Sequence, residues 1–194
     1  MNQSLSEIRT SSAAPTAHVL RLAGIVLGGS LFAAVCAHLS VPLWFTPVPL
    51  SLQPFAVLLL GLLLAPRLAA GVFVAYLAEG ALGLPVFAPS PASGGLPHLL
   101  GPTGGYLMAY PLAAALISWL YRRTSRSFAL AMASAAAGDA IILGCGTLWI
   151  AVLPMLGAHS AALAVLPFLP GDALKIAGAA AIGYAWTRLR RRSA

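Results

Sequence analysis

The sequence has very few charged residues for its length. Only 8% of its 194 residues are charged and 60% are hydrophobic, and the mean hydropathy is +0.91. A soluble domain has about 25% charged residues, so this composition is typical of a chain whose solvent is a lipid bilayer. At about 20 apolar residues for each membrane-spanning helix, the length allows about six spans with short loops. It leaves no room for a separate soluble domain.

Cysteine, metal-binding spacings and nucleotide-binding motifs are also scarce. The two cysteines, Cys36 and Cys145, both lie in apolar runs, which excludes a disulfide framework or a zinc-binding spacing. The glycine-rich segment at 101–105 lacks the Gly-Lys-Ser/Thr ending of a phosphate-binding loop, so the chain is not expected to hydrolyse ATP. The four histidines are scattered. We therefore expect no metal ion, no cofactor and no catalytic residue, and predict that the chain is not an enzyme.

Acidic residues number only four, which gives the chain a formal net charge of +7. A basic chain can bind nucleic acid, but the positions of the basic residues indicate another role. Ten of the eleven lie near the chain ends or in every second connection between apolar runs: Arg9, Arg21, Arg67, Arg122, Arg123, Arg126, Arg188, Arg190, Arg191 and Arg192. This is the positive-inside pattern of an even number of spans with both termini in the cytoplasm. We therefore predict a multi-pass protein of the lipid bilayer with no nucleic-acid partner.

Six apolar runs account for most of the chain. They predict membrane spans near 19–39, 52–65, 68–84, 104–121, 127–155 and 163–187. The predicted fold is an all-α integral membrane protein whose six transmembrane helices occupy residues 19–187. Residues 1–18 are expected to form a short cytoplasmic tail, and residues 188–194 a basic cytoplasmic tail.

The first predicted span contains a stripe of small residues. Gly24 and Gly28 are four residues apart, as are Gly29, Ala33 and Ala37. Small residues at this spacing let another helix approach closely in a bilayer. The approaching helix is either part of the same chain or part of a partner subunit, and the spacing alone does not choose between them.

Four ionisable residues lie within the predicted spans: Glu79, Asp139, Asp172 and Lys175. Such residues are costly in a bilayer and are functional candidates by default. Glu79 lies near the outer end of its span, where a helix cap or an interface charge would explain it. For Asp139 a structural bond to a neighbouring helix and a functional role are equally compatible with the sequence. An intramembrane enzyme would require Glu79, Asp139 and Asp172 to converge.

Asp172 and Lys175 are the strongest candidates. They are three residues apart and so share a helix face, and Pro170-Gly171 before them predicts a helix start with Asp172 as N-cap. A cation in the first turn opposes the helix dipole, so helix stability does not explain Lys175. Its ammonium and the free backbone N–H groups suit an anion, whereas Asp172 suits N–H donors. Either the two charges simply pair, or they bind a small, mostly apolar ligand with a carboxylate at one end and an N–H-bearing head at the other.

Five short segments occur in a particular order along the chain: 47–53 (PVPLSLQ), 62–68 (LLLAPRL), 83–87 (GLPVF), 100–107 (LGPTGGYL) and 169–175 (LPGDALK). Together with six predicted spans, they closely resemble the BioY family over about residues 20–187. These are the biotin-specific substrate-binding (S) components of energy-coupling-factor (ECF) transporters. An S component for another vitamin is the alternative with the same fold.

The resemblance implies the fold and partners of an S component. It implies high-affinity capture of biotin for uptake across the cytoplasmic membrane of a prokaryote. The implied partners are a transmembrane coupling (T) subunit and a pair of ATPases, which alone would use ATP. Transport without the ATPases, as a homo-oligomer, stays open.

The resemblance also implies particular ligand contacts. It assigns Asp172 to the ureido N–H groups of biotin and Lys175 to the valerate carboxylate. Tyr106 and Gly104 are assigned to the pocket wall. The stripe formed by Gly24, Gly28, Gly29, Ala33 and Ala37 resembles the surface that S components offer to the coupling subunit, which favours the docking interpretation.

Overall fold

Seven helices and one pair of very short strands form the part of the chain that the structure describes. In this computed structural model that part comprises residues 3–46, 48–89, 94–153 and 165–192, with side chains described from residue 16 onward. The helices are α1 (Gln3–His38), α2 (Gln53–Leu63), α3 (Pro66–Ala81), α4 (Leu96–Leu100), α5 (Gly104–Arg122), α6 (Phe128–Val152) and α7 (Leu169–Arg192). Strands β1 (Ser40–Val41) and β2 (Leu50–Ser51) pair in antiparallel fashion between α1 and α2. Apart from this ribbon, the regular structure within the described residues is helical, as predicted.

Six of these helices coincide with the six predicted spans. Among the described residues, two segments are long and apolar enough to cross a membrane, Thr16–His38 of α1 and the whole of α6, and α2 is a shorter apolar helix. Helix α1 begins at Gln3, so most of the segment predicted as an N-terminal tail is helical and continuous with the first predicted span. Parts of the predicted fifth and sixth spans, at 154–155 and 163–164, lie outside the described residues. The number of helices that cross a bilayer stays a prediction.

The start of α7 corrects one prediction. The helix begins at Leu169, so Asp172 lies in its first turn and is not its N-cap. The backbone N–H of Asp172 donates to the Phe168 carbonyl at 2.8 Å. Proline is tolerated in the first helical turn because its missing N–H would have no helical partner there. Pro170 therefore does not delay the helix.

Helix α5 is the centre of the bundle. It packs against α2, α3 and α6, while α7 packs against α2 and α6, and α1 against α2 and α3. Aromatic rings fill the space between α3 and α5. The ring of Phe73 makes edge contacts with Tyr76 and Tyr110, with centroids 6.4 and 5.9 Å apart. These buried contacts fix the part of α5 that faces the candidate site.

The helix connections divide between two ends of the bundle. At one end, Arg122 donates to the Leu64 carbonyl at 3.2 Å, and Arg191 donates to the Ser125 carbonyl at 3.3 Å. These bonds bring the arginine-bearing turns and the C-terminal part of α7 together. The other end is formed by the β1–β2 ribbon, α4 and the first turns of α5 and α7.

The small-residue stripe of α1 lies in two environments. Ala33 and Ala37 are fully buried, and a Cβ added to Gly29 would come within 2.9 Å of a valine side chain of α3. These three residues pack inside the chain, so for them the internal alternative holds. Gly24 and Gly28 are exposed, and no described atom lies within 4 Å of an added Cβ. Docking of a partner at this stripe stays a prediction, and it now concerns Gly24 and Gly28.

Candidate functional site

A cavity opens at the end of the bundle formed by β2, α4 and the first turns of α5 and α7. The space between its walls, including the open mouth, is about 620 Å³. Most of its surface is apolar. The polar lining residues are Ser51, Gln53, His98, Thr103, Tyr106, Tyr110, Asp139, Asp172 and Lys175. The cavity suits a small, largely apolar ligand with a few polar groups.

Asp172 and Lys175 line this cavity and contact each other. The Nζ of Lys175 donates to Oδ1 of Asp172 at 2.8 Å, and both side chains are more than nine-tenths buried. Their i,i+3 spacing on α7 brings the two groups together, and the charge on both partners strengthens the hydrogen bond. A hydrogen-bond acceptor and a donor therefore stand side by side at one place in the cavity.

Tyr106 also lines the cavity, whereas Gly104 does not. A Cβ added to Gly104 would overlap the Leu99 carbonyl and lie 3.3 Å from the indole nitrogen of Trp149. That nitrogen donates to the Gly101 carbonyl at 2.9 Å. Gly104 thus lets α4 and α6 approach the first turn of α5. Its contribution to the site is to position Tyr106, two residues further along α5.

Asp139 extends from the middle of α6 into the same cavity. It is only 4% exposed, and its Oδ1 has no hydrogen-bond partner among the described residues. It lies close enough to Asp172 and Lys175 to interact electrostatically with both. Buried polar atoms are nearly always hydrogen-bonded, so this oxygen is an exception. Its position favours the functional interpretation that the sequence left open.

Five of the polar lining residues were not predicted from the sequence: Ser51, Gln53, His98, Thr103 and Tyr110. Gln53 is buried at the start of α2, and its Nε2 donates to the Tyr76 hydroxyl at 2.8 Å. His98 is buried on α4 and stacks on Phe87 with ring centroids 5.0 Å apart. Gln53 ends the first segment that carries the family resemblance, which was an available signal. His98 had none, because a single histidine in a loop has many explanations.

Glu79 lies away from the cavity. It accepts a hydrogen bond from the Ser30 hydroxyl and so links α3 to α1. Of the three acids that an intramembrane enzyme would need, Asp139 and Asp172 line the cavity and Glu79 does not.

Comparison with known proteins identifies the family. A model of the BioY family matches residues 6–192. The chain belongs to the BioY family. This BioY chain is similar to the probable biotin transporter BioY of Pyrococcus horikoshii, with 42% identity over 150 residues that cover 77% of this chain and 85% of the relative. It is also similar to the biotin transporter BioY of Thermotoga maritima, with 36% identity over 148 residues that cover 76% and 85% of the two chains.

A solved structure supports the same assignment. The crystal structure of the S-component for biotin from an ECF-type ABC transporter matches this BioY chain with a TM-score of 0.79 and 26% identity. The match covers 90% of this chain and 93% of that chain. The predicted family and S-component fold are therefore confirmed. Because the family consists of transporters, the intramembrane-enzyme alternative is set aside.

Proposed function

We propose that this protein serves biotin uptake across the cell membrane, by capturing biotin with high affinity as the S component of an ECF transporter. The similar BioY proteins are biotin transporters, and the S-component of matching fold is one for biotin. Within the chain itself, the observation that supports the proposal is the buried Asp172–Lys175 pair in a mainly apolar cavity. Biotin has a polar ureido ring joined to an apolar thioether ring and alkyl chain that ends in a carboxylate, and the ring and the chain are complementary to such a site.

The pair is complementary to the ureido ring of biotin. A cyclic urea presents N–H donors on either side of a carbonyl oxygen. Asp172 can accept from a ureido N–H while the neighbouring ammonium of Lys175, 2.8 Å away, donates to the ureido oxygen. The contact of Lys175 with the valerate carboxylate that the resemblance implies is less compatible with this geometry, because that carboxylate would lie beside the like charge of Asp172.

The remainder of biotin would contact the apolar part of the cavity wall. Leu107, Ile142 and Phe168 line it together with the ring of Tyr106. Burial of a sulfur-containing ring and an alkyl chain against such side chains contributes about 25 cal/mol for each Å² removed from water. This term supplies affinity, while the charged groups supply orientation.

We infer the membrane arrangement and the partners from the same fold. In this proposal α1, α2, α3, α5, α6 and α7 span the cytoplasmic membrane of a prokaryote, with both termini in the cytoplasm. The arginine-bearing connections are gathered at one end of the bundle and the cavity opens at the other, so the cavity would face outside. The T subunit and the ATPase pair are the proposed partners. They alone would use ATP, and this chain would need no cofactor.

Identification of the bound ligand tests the proposal directly. The protein is purified gently in detergent, and the small molecules that it retains are identified by mass spectrometry. Ligand-free protein is then titrated with biotin in a calorimeter. We expect biotin in the first measurement and saturable binding in the second. Recovery of a different vitamin would refute the biotin assignment while leaving the S-component fold intact.

A further inference from the structure

Asp139 is the ionisable residue of the cavity that the contacts described so far leave without a function. It belongs to α6, whereas the Asp172–Lys175 pair belongs to α7, and these two helices pack against each other. The carboxylate of Asp172 already has a partner in Lys175. The Oδ1 of Asp139 is buried and has none among the described residues. Leaving a buried acceptor unpaired is unfavourable, and a ligand that donates a hydrogen bond offsets this penalty.

The three ionisable groups that line the cavity together offer two hydrogen-bond acceptors and one donor. Asp172 and Asp139 contribute acceptors, and Lys175 contributes a donor that interacts electrostatically with both acids. The cyclic urea of biotin has the complementary pattern, in which one carbonyl acceptor lies between two N–H donors. Asp172 can accept from one ureido N–H group, and the ammonium of Lys175 can donate to the carbonyl oxygen. The second N–H group needs one more acceptor.

We propose that Asp139 accepts a hydrogen bond from the second ureido N–H group of biotin and is thereby a specificity-determining residue. This inference rests on the proposed biotin function and extends it to the chemistry that the site selects. The site recognises a ring with two N–H groups that flank a carbonyl. A ligand lacking either N–H leaves one of the two buried carboxylates without a donor. A site rejects a ligand that leaves its buried polar groups unpaired more strongly than it rejects a ligand that differs only in apolar shape.

The test combines variants of Asp139 with biotin derivatives that are methylated on one or the other ureido nitrogen. Asp139→Leu removes the acceptor and keeps a side chain branched at Cγ, and we expect it to lower biotin affinity about 10- to 100-fold. In wild-type protein, methylation of either nitrogen weakens binding. In the leucine variant, methylation of one nitrogen has an effect at least about tenfold smaller than in wild type, because the acceptor for that N–H is already gone.

A conservative variant and a control accompany this test. Asp139→Asn keeps an acceptor oxygen, so we expect it to recover part of the affinity that the leucine variant loses, together with the sensitivity to methylation. Ser134→Ala changes a buried polar residue of the same helix that does not line the cavity, and it should bind biotin as wild type does. Thermal unfolding checks that each variant is folded. If the leucine variant does not fold, Asp139→Ala provides the same comparison without added bulk.

A folded Asp139→Leu or Asp139→Ala variant with wild-type biotin affinity would overturn the inference. Equal effects of methylation in wild type and in that variant, at both nitrogens, would overturn it as well. Failure of the proposed function has a different signature, since wild-type protein would then not bind biotin at all.

Discussion

Lys175 combines two roles through its position on α7. It neutralises Asp172, and it presents an ammonium group to the cavity. Removal of one partner from a buried ion pair leaves the other as an uncompensated buried charge, which is strongly unfavourable. The residue therefore affects both the fold of the cavity and its affinity for a ligand.

Lys175→Ala tests the contribution of this residue to binding. The loss of a charge-assisted hydrogen bond costs about 1.5–3 kcal/mol, so we expect biotin affinity to fall about 10- to 150-fold in calorimetric titration. Arg190→Ala removes a basic residue that does not line this cavity and should bind as wild type does. Wild-type affinity in the Lys175 variant would show that the ammonium makes no contact with the ligand.

The same variant distinguishes the two possible partners of Lys175. If the ammonium contacts the ureido oxygen, Lys175→Ala weakens the binding of biotin and of biotin amide by the same factor. A contact with the valerate carboxylate predicts that the variant weakens the binding of biotin much more than that of the amide.

His98 provides a pH-dependent prediction outside the proposed spans. Burial lowers the pKa of its imidazole below the usual value of 6.5. The unfolded chain therefore takes up a proton at His98 more readily than the folded protein does. The contribution of neutral His98 to the free energy of unfolding is fully present above pH 6.5 and decreases as the pH falls below 6.5. We expect a lower thermal midpoint at pH 5.5 than at pH 7.5, and a smaller difference in His98→Gln.

His38 supplies the matched control, because it is an exposed histidine at the end of α1. His38→Gln should keep the wild-type difference between the two pH values. An identical pH difference in wild type and in His98→Gln would rule out His98 as its source.

At the scale of elements, the contact between α5 and α6 depends on residues without side chains. Gly146 of α6 lies directly against the ring of Tyr106, and Gly105 of α5 lies against Trp149. These contacts bring the two helices close enough for Tyr106 on one and Asp139 on the other to line the same cavity. Helix packing at this contact therefore determines the width of the binding site.

Gly146→Ala tests this dependence. The added methyl group overlaps the ring of Tyr106, and overpacking of this kind costs about 1–3 kcal/mol. We expect a lower thermal midpoint together with weaker biotin binding, because Tyr106 is displaced. Gly144→Ala, two residues away on the same helix, meets no described atom within 4 Å and should leave both quantities unchanged or slightly raise stability. Equal behaviour of the two variants would contradict the proposed packing role.

The long helices were predictable from the sequence, whereas the small elements were not. Apolar runs and the arginines between them predicted α2, α3, α5 and α6 to within a few residues. Helix α4 and the β1–β2 ribbon have five and two residues per element, too few for a periodic pattern. The predicted N-cap at Asp172 was wrong because Pro170 and Gly171, which the prediction placed before the helix, belong to its first turn.

At the scale of the whole molecule, the convergence of distant segments was the part that sequence could not supply. Asp172 and Lys175 are neighbours along α7, so their pairing followed from helical spacing. Asp139, Gln53 and His98 reach the same cavity only through the packing of α2, α4 and α6 around α5. The pattern of a single sequence does not predict contacts between distant segments. In its own segment, each of these residues is also compatible with a purely structural role.

The exposed part of α1 leads to a prediction about assembly. Gly24 and Gly28 present a smooth surface on which a helix of the T subunit can pack closely. We expect the double variant Gly24→Leu, Gly28→Leu to reduce co-purification of the T subunit while biotin binding by the isolated chain stays unchanged. Gly144→Leu, at an equally open glycine on α6, is the control. Undiminished co-purification in the double variant would place the docking surface elsewhere.

The ion pair of α7 has a final consequence for the unloading of the protein. When biotin departs, Lys175 keeps Asp172 as a partner, so departure does not leave a bare ammonium in a low-dielectric interior. The ion pair therefore lowers the electrostatic cost of the empty cavity, and release of the ligand does not require Lys175 to find a new partner.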